Sequence, residues 1–550
     1  MGLPHGYKSL AGTEHAHPAG HKDLEPTAPS EMVTATIIVR RRKDGGKLRG
    51  MADFQAGSNV PHTRLSRADF AAKHGADPKE LEAVAGFAKS NGLEVVESHV
   101  ASRSVVVRGT AAAMNKAFAV ELHDYDSPRG KYRGHTGPAN LPATVAEVVE
   151  AVTGLDNRPV PATHYSTARR QNPKDPPNTK TLTPQQVAKL YDFPTGNGAG
   201  ETIGIYEMQT SGGKAGYTVA DLTNTMKAFG GGLKVPKPID VSVDGAANSG
   251  VSDGETGLDI TVASAIAQGA KIAVYFTGET AQNIIHALQR MIHPNAGDPT
   301  PSILSISYGW GPDDTTADSF SDQEYTQTDQ LFQDAANLSI TVLVSSGDSG
   351  AYIASATQAQ TSYPATEPWV IACGGTTVGN VTAKGFDEYV WNDTGAAGPG
   401  ATGGGISARF PAPSYQAKAS LPKRIGSGAA GRGIPDIAGN ASENSGYTQF
   451  INGSSQPVGG TSAVAPLYAG LIALINANLG APVGFINPIL YSIGAGAFRD
   501  VSGPPGPDNN SCNGVTGYPA GPGWNGCTGL GSVNGVALQN GLKTAHAAKK

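Results

Sequence analysis

From Leu182 onward, short apolar runs recur at intervals long enough to hold a helix: Ile203–Tyr206, Ile272–Phe276, Ile303–Ser307, Thr341–Ser345 and Val370–Ala372. Such runs, separated by helix-length spacers, mark strands buried on both faces, as in a parallel sheet covered by helices. In that architecture functional residues gather at the carboxyl ends of the strands. Residues 182–550 therefore read as one α/β unit, and the candidate chemistry is expected where these runs end.

Residues 33–166 read differently. Ala35–Arg40 is strand-like, and Asp77-Pro78-Lys79-Glu80 reads as a capping box with Pro at the first helical position. Leu81, Val84, Ala85 and Ala88 follow at helical spacing, and Gly92 supplies a stop. Strands are expected over Leu93–Val100, Ser104–Arg108 and Val120–Tyr125, with helices over Ala111–Ala119 and Ala143–Val152. Helices interleaved with strands in so small a block imply an α+β sandwich. Residues 167–181, rich in Pro and exposed basic groups, read as a linker open to proteolysis. Residues 1–32 are polar and read as a disordered tail, without the apolar stretch of a secretory signal.

Composition narrows the function. At 550 residues the chain exceeds one ordinary core. A net charge of -5 argues against a nucleic-acid partner, and no run of 18 apolar residues points to a membrane. Three cysteines cannot all pair. Cys512 and Cys527 flank a Gly-rich loop that a local disulfide could close, whereas Cys373 lies in an apolar run and reads as a buried thiol.

Three segments carry chemistry. Gly459-Gly-Thr-Ser462-Ala-Val-Ala-Pro466 delivers a serine into an apolar helix, where it is either a helix cap or a nucleophile whose own N–H faces an oxyanion. In Asp253-Gly-Glu255-Thr-Gly-Leu-Asp259 two carboxylates stack one helical turn apart, on nearly the stripe that Leu258, Val262 and Ile266 continue. They point inward, so at least one pKa should rise, and Glu255 becomes a candidate general base with Asp259 as its support. Ser345-Ser-Gly-Asp348 follows a strand run, and Asp348 either caps a turn or, kept protonated, donates to an oxyanion. After Thr181 the only histidines are His286, His293 and His546, none in a context suited to a serine's base.

Glu255, Asp259, Asp348 and Ser462, in this order and in these contexts, resemble the catalytic set of the sedolisin (serine-carboxyl peptidase) family, nearest its kumamolisin branch. The likeness runs from about Ala35 to Gly535 and includes Arg432–Asn440 and Gly403–Ser407, the latter similar to a specificity-pocket loop. It implies a subtilisin-like α/β fold, a parallel sheet with helices on both faces, preceded by an α+β ferredoxin-like prodomain that acts as intramolecular chaperone and inhibitor. It also implies an acid-acting, self-processing endopeptidase of peptide substrates, extracellular and monomeric. Glu207 matches a further acid of the family network, and Tyr308 stands where a Trp is expected. By the same resemblance a Ca²⁺ site falls on Asp500, Val501, Gly521, Gly523 and Asn525, weakened because Asn525 replaces a carboxylate. Ten of thirteen histidines precede the linker, so their protonation is expected to loosen the N-terminal domain. A conventional Ser-His-Asp subtilase and an inactive secreted binding module are the alternatives.

Overall fold

A computed structural model describes residues 5–15, 20–55, 64–160, 166–167, 180–210, 214–311, 320–353, 357–394, 400–502 and 508–547. Most of the expected linker, together with His17 and His62, lies outside these residues.

The N-terminal domain runs β1 (Tyr7–Leu10), β2 (Lys22–Pro26), β3 (Met32–Val39), α1 (Arg67–His74), α2 (Pro78–Ser90), β4 (Glu94–His99), β5 (Ser104–Thr110), α3 (Ala111–Phe118), β6 (Leu122–Ser127), β7 (Gly130–His135), β8 (Ala139–Pro142), α4 (Ala143–Ala146) and β9 (Val149–Thr153). Its main sheet is antiparallel in the order β4-β5-β3-β9. With the helices between, this is the ferredoxin-like arrangement. Leu81, Val84 and Phe87 of α2 and Met114 and Phe118 of α3 pack on Val33, Ala35, Ile37, Val105 and Val107 of one sheet face.

Three expectations change. Residues 1–32 are not all tail: β1 pairs with β8 and β2 with β6. Pairing at a sheet edge engages backbone groups, so a polar sequence gives no apolar signal for it. Ala143–Val152 is not one helix. Val148, Val149 and Val152 favour extended backbone, and Val149–Thr153 becomes an edge strand against β3. Asp77 caps α2 by accepting from Lys79 N (2.9 Å), but Glu80 turns away to pair with Arg40 instead of closing a box.

In the C-terminal domain β10 (Ser166–Thr167) precedes α5 (Pro184–Leu190), β11 (Thr202–Met208), α6 (Val219–Phe229), β12 (Ile239–Ser242), α7 (Glu255–Ile266), β13 (Lys271–Thr277), α8 (Ala281–Ile292), β14 (Ile303–Ile306), α9 (Asp322–Asn337), β15 (Thr341–Ser345) and β16 (Ile371–Thr382). Then follow β17 (Gly385–Val390), β18 (Gly405–Ile406), β19 (Gly433–Ile434), β20 (Ile437–Asn440), β21 (Tyr447–Ile451), β22 (Ser454–Gly459), α10 (Val464–Leu479), α11 (Asn487–Ile493), β23 (Phe498–Arg499), β24 (Ser532–Val533) and α12 (Gly535–Ala547). Ten strands form one sheet in the order β12-β13-β11-β14-β15-β16-β20-β24-β23, with β17 beside β16. The pairs from β12 to β24 are parallel, and β17 and β23 are antiparallel.

Alternate residues of these strands enter two cores. Ile203, Ile205, Val274 and Leu343 meet α7 and α10, whereas Tyr206, Leu304, Ile306 and Val342 meet α8 and α9. Both faces are thus covered, as the apolar runs require. Helix α7 is buried around nearly its whole circumference because it is enclosed between the sheet, α6 and α10. Helix α10, with the turn before it (Thr461–Leu479) long and apolar enough to span a bilayer, is instead the central helix of this core. Gly470 permits the α7–α10 approach: a Cβ there would stand 2.6 Å from Ile266 Cβ.

The free face of the N-terminal sheet docks on α8 and α9. Thr36 Oγ1 lies 2.7 Å from His286 Nε2, and Arg41 donates to Asp334 Oδ1 at 2.7 Å. The outward side of α9 is rich in amides: Gln323 accepts from Val152 N and donates to Ala11 O, Gln330 meets Arg103, and Gln333 and Asn337 donate to Arg49 O. The histidines divide. His15, buried against Glu324 (3.2 Å), has a raised pKa: burial works against its charge, but Asp156 and Glu324 outweigh it. Its protonation therefore strengthens docking, contrary to expectation. Burial holds His74, His99 and His135 below the usual value, so charging them on acidification opposes the docked state.

Two outcomes follow. Gly470→Ala should lower stability by about 1–3 kcal/mol through overpacking against Ile266, read as a fall in thermal midpoint. Burial pushes the Asp334 carboxyl up, but Arg41 and the His293 contact pull it below its ordinary range overall. Its contribution is full above the ordinary carboxyl pKa and fades as pH falls through the lowered value. Arg41→Ala should destabilise the full chain by about 1–3 kcal/mol near neutral pH, and unfolding curves of the two proteins should converge in acid.

Candidate active site

Strand β22 ends at Gly459, and Gly460, at φ +98°, turns the chain in a region that residues with a Cβ avoid. Thr461–Ala463 then forms a 3₁₀ turn that runs straight into α10. This fixes Ser462, fully buried, at the helix entrance. Its hydroxyl donates to the carbonyl of Ser307 (3.3 Å), and the Glu255 carboxyl lies near enough to feel that hydroxyl while neither of its oxygens takes a hydrogen bond from the described residues.

Glu255 opens α7 directly after Gly254, and Asp259 stands one turn on. Both are buried, as sequence spacing predicts. Ser307, just past β14, donates its hydroxyl to Asp259 Oδ2 (2.7 Å) and also reaches Ser462 O (3.3 Å). Glu207 near the end of β11 accepts from Tyr308 OH (3.0 Å), so tyrosine serves as donor at the position where the family pattern led us to expect Trp. Burial, and then the neighbouring acids, drive the carboxyls of Glu207, Glu255 and Asp259 well above their usual range.

Asp348 lies beyond β15. Its Oδ1 accepts from both the N–H (2.8 Å) and the hydroxyl (2.7 Å) of Thr461, the residue before Ser462. This ties the β15 turn to the serine turn. Gly403 packs so closely on Ser346 that a Cβ would meet its carbonyl oxygen at 2.1 Å, which brings the Gly403–Ser407 loop beside Asp348. All four expected catalytic side chains thus converge, with Glu207 and Tyr308 behind them. Ser307 and Thr461 escaped sequence reading, since a lone hydroxyl after a strand has no pattern of its own. The histidines are engaged elsewhere, His286 with Asp244 (2.8 Å) and His293 with Asp334 (3.0 Å).

Ser166 and Thr167 pair antiparallel with Gly459 and Val458 of β22, three residues short of Ser462. The segment between the two domains therefore lies along the edge of the site as an added strand.

The expected calcium ligands also converge. Gly523 N donates to Asp500 Oδ2 (3.0 Å), while Asn525 Nδ2 donates to Gly521 O (3.1 Å) and Val501 O (3.4 Å). Asn525 Oδ1 accepts from the N–H groups of Cys527 and Thr528 (both 3.0 Å), which fixes the amide orientation. The carbonyls thus face N–H donors, and as arranged these residues do not fit a cation. Nearby, Cys512 and Cys527 are buried thiols, not a disulfide, and the Cys527 thiol donates to Tyr518 O (3.1 Å).

Comparison with known proteins agrees with this geometry. Residues 19–158 match the "Pro-kumamolisin, activation domain" family, and residues 245–481 match the "Subtilase family". The chain is 40% identical to kumamolisin of Bacillus sp. over 97% of its length and 96% of that protein's. It is 30% identical to a tripeptidyl-peptidase of Aspergillus fumigatus over 96% of each. Pseudomonas sedolisin, solved with two molecules of pseudo-iodotyrostatin, superposes with a TM-score of 0.55 at 27% identity, covering 66% of this chain and 98% of that one. A ferredoxin-like activation domain, a subtilisin-like sheet and identity along nearly the whole chain lead to one conclusion: this protein belongs to the sedolisin family of serine-type peptidases, as a kumamolisin-like precursor.

Proposed function

We propose that this peptidase is an acid-acting endopeptidase, secreted as a monomer and silenced by its own prodomain until it cleaves itself within residues 167–181. The approach of the Ser462 hydroxyl to the buried Glu255 carboxyl carries this reading. Glu255, ionised, takes the Ser462 proton as the hydroxyl attacks a peptide carbonyl. Asp259, held by Ser307, supports Glu255 in the role that a third residue plays for imidazole in other serine peptidases. Asp348, anchored through one oxygen by Thr461, keeps a proton on the other and with it donates a hydrogen bond to the tetrahedral oxyanion, alongside the backbone N–H of Ser462. The proton on Glu255 then passes to the leaving amine, and water repeats the sequence on the acyl-enzyme.

Acid operation follows from the same burial. Carboxyls whose pKa lies above the ordinary range exchange protons in mild acid, where a histidine base would be charged and idle. Endopeptidase action is favoured by the β10–β22 pairing. A segment with chain on either side occupies the edge of the site, as an internal stretch of a substrate would.

Ser462→Ala and Glu255→Gln should each remain full-length precursors in acid while wild type shortens, with peptide hydrolysis falling by at least about a thousandfold. His286→Gln and His293→Gln should retain hydrolysis; abolition by either would favour a conventional Ser-His-Asp enzyme. For the C-terminal loop, chelator and added Ca²⁺ should leave the thermal midpoint of wild type in place. Asn525→Asp should convert the loop into one that calcium stabilises. A wild-type midpoint that collapses in chelator would show that Asn525 does not do a cation's work.

A further inference from the structure

Behind Glu207 lies a fourth carboxyl. Asp253, at the turn into α7, is half-buried. Its Oδ1 accepts from Thr256 N (2.9 Å) and its Oδ2 from Gly216 N (3.3 Å). Between Asp253 and Glu207 sits the buried hydroxyl of Thr256, 3.1 Å from Asp253 Oδ2, 3.0 Å from Glu207 Oε2 and 3.2 Å from the Gly216 N–H that donates to it.

A threonine hydroxyl carries a single proton, yet this one lies between two carboxyl oxygens. It donates to Glu207 when Asp253 brings its own proton and donates to the threonine oxygen, and to Asp253 when that proton lies on Glu207 instead. Once Asp253 ionises, the hydroxyl is drawn to the new charge and Glu207 keeps Tyr308 as its donor. The other groups facing this cluster are Glu255 and Asp259 on α7 and Tyr206 and Tyr308 from the sheet side. Lys214, two residues before Gly216, is exposed.

We propose that Asp253 and Thr256 are positioning residues of the peptidase site: neutral Asp253 donates to Thr256, Thr256 donates to Glu207, and loss of the Asp253 proton sets the upper end of the working pH range. This rests on the roles of Ser462 and Glu255 given above. Burial, the largest influence on Asp253, pushes its carboxyl up to about 6. Above that pH two effects act together. Glu207 loses a donor, and a negative charge appears beside it. Both undo the hydrogen bonding and charge arrangement behind Glu255 in which the site works, so activity falls as Asp253 ionises.

The test is the pH dependence of kcat/KM for peptide hydrolysis by the processed enzyme. Asp253→Asn keeps this position neutral at every pH and still offers Thr256 an N–H. Its alkaline limb should move up by about one pH unit. Thr256→Val cuts the relay and should lower kcat/KM at the acid optimum about tenfold, with Thr256→Ser restoring it. An infrared titration of the carboxyl band supplies a reading independent of activity: Asp253→Asn should delete one group titrating near pH 6. Wild type without hydrolysis at any pH would remove the catalytic reading and this one with it. An active wild type whose alkaline limb superimposes on that of Asp253→Asn overturns this inference alone.

Discussion

The close packing of α7 on α10 is the contact on which the site depends. One helix brings two carboxyls, the other a serine, and neither has chemistry without its partner. Their approach requires that position 470 carry no side chain, that α7 be buried on nearly every side, and that a sheet lie beneath both. Burial then does what sequence spacing alone does not. It denies the acids water, raises their proton affinity, and leaves Ser462, Ser307 and Thr256 as the groups that govern where protons rest. The same burial favours the folded state in acid, since each raised carboxyl weighs against folding as pH climbs past its ordinary range.

The sheet's central strands were legible because their apolar runs have no other use. Ile203–Tyr206 lies within β11, Ile272–Phe276 within β13, and Thr341–Ser345 is β15 itself. β12, with Ile239 and Val241 alternating with polar residues, was missed because it is a short strand at the sheet edge. The N-terminal strands β1 and β2 left no trace either, being edge pairs held by backbone groups. The two carboxyls of α7 were singled out from their spacing on one helix, and Ser462 from the small-residue turn before it. Asp253 and Thr256 stood in the same quoted segment, yet their part emerges only when the distance from one hydroxyl to two carboxyls is known.

The residues that the resemblance assigns to calcium converge in space at the C-terminal loop. One substitution reverses the polarity at the centre, so that an amide N–H takes the place where a positive ion would have to sit. Counting donors and acceptors at Asn525 decides this, and position in a motif does not.

Helix α9 joins the two domains with unlike sides. Leu331, Phe332, Ala335 and Ala336 are sealed into the peptidase core, while glutamines and an asparagine face the N-terminal sheet. Water can replace every hydrogen bond that these amides make. When the prodomain departs it uncovers a wettable stripe along this helix, bordered by the apolar surface on which Leu48, Phe54 and Phe70 had packed, so the freed flank is a mosaic of the two.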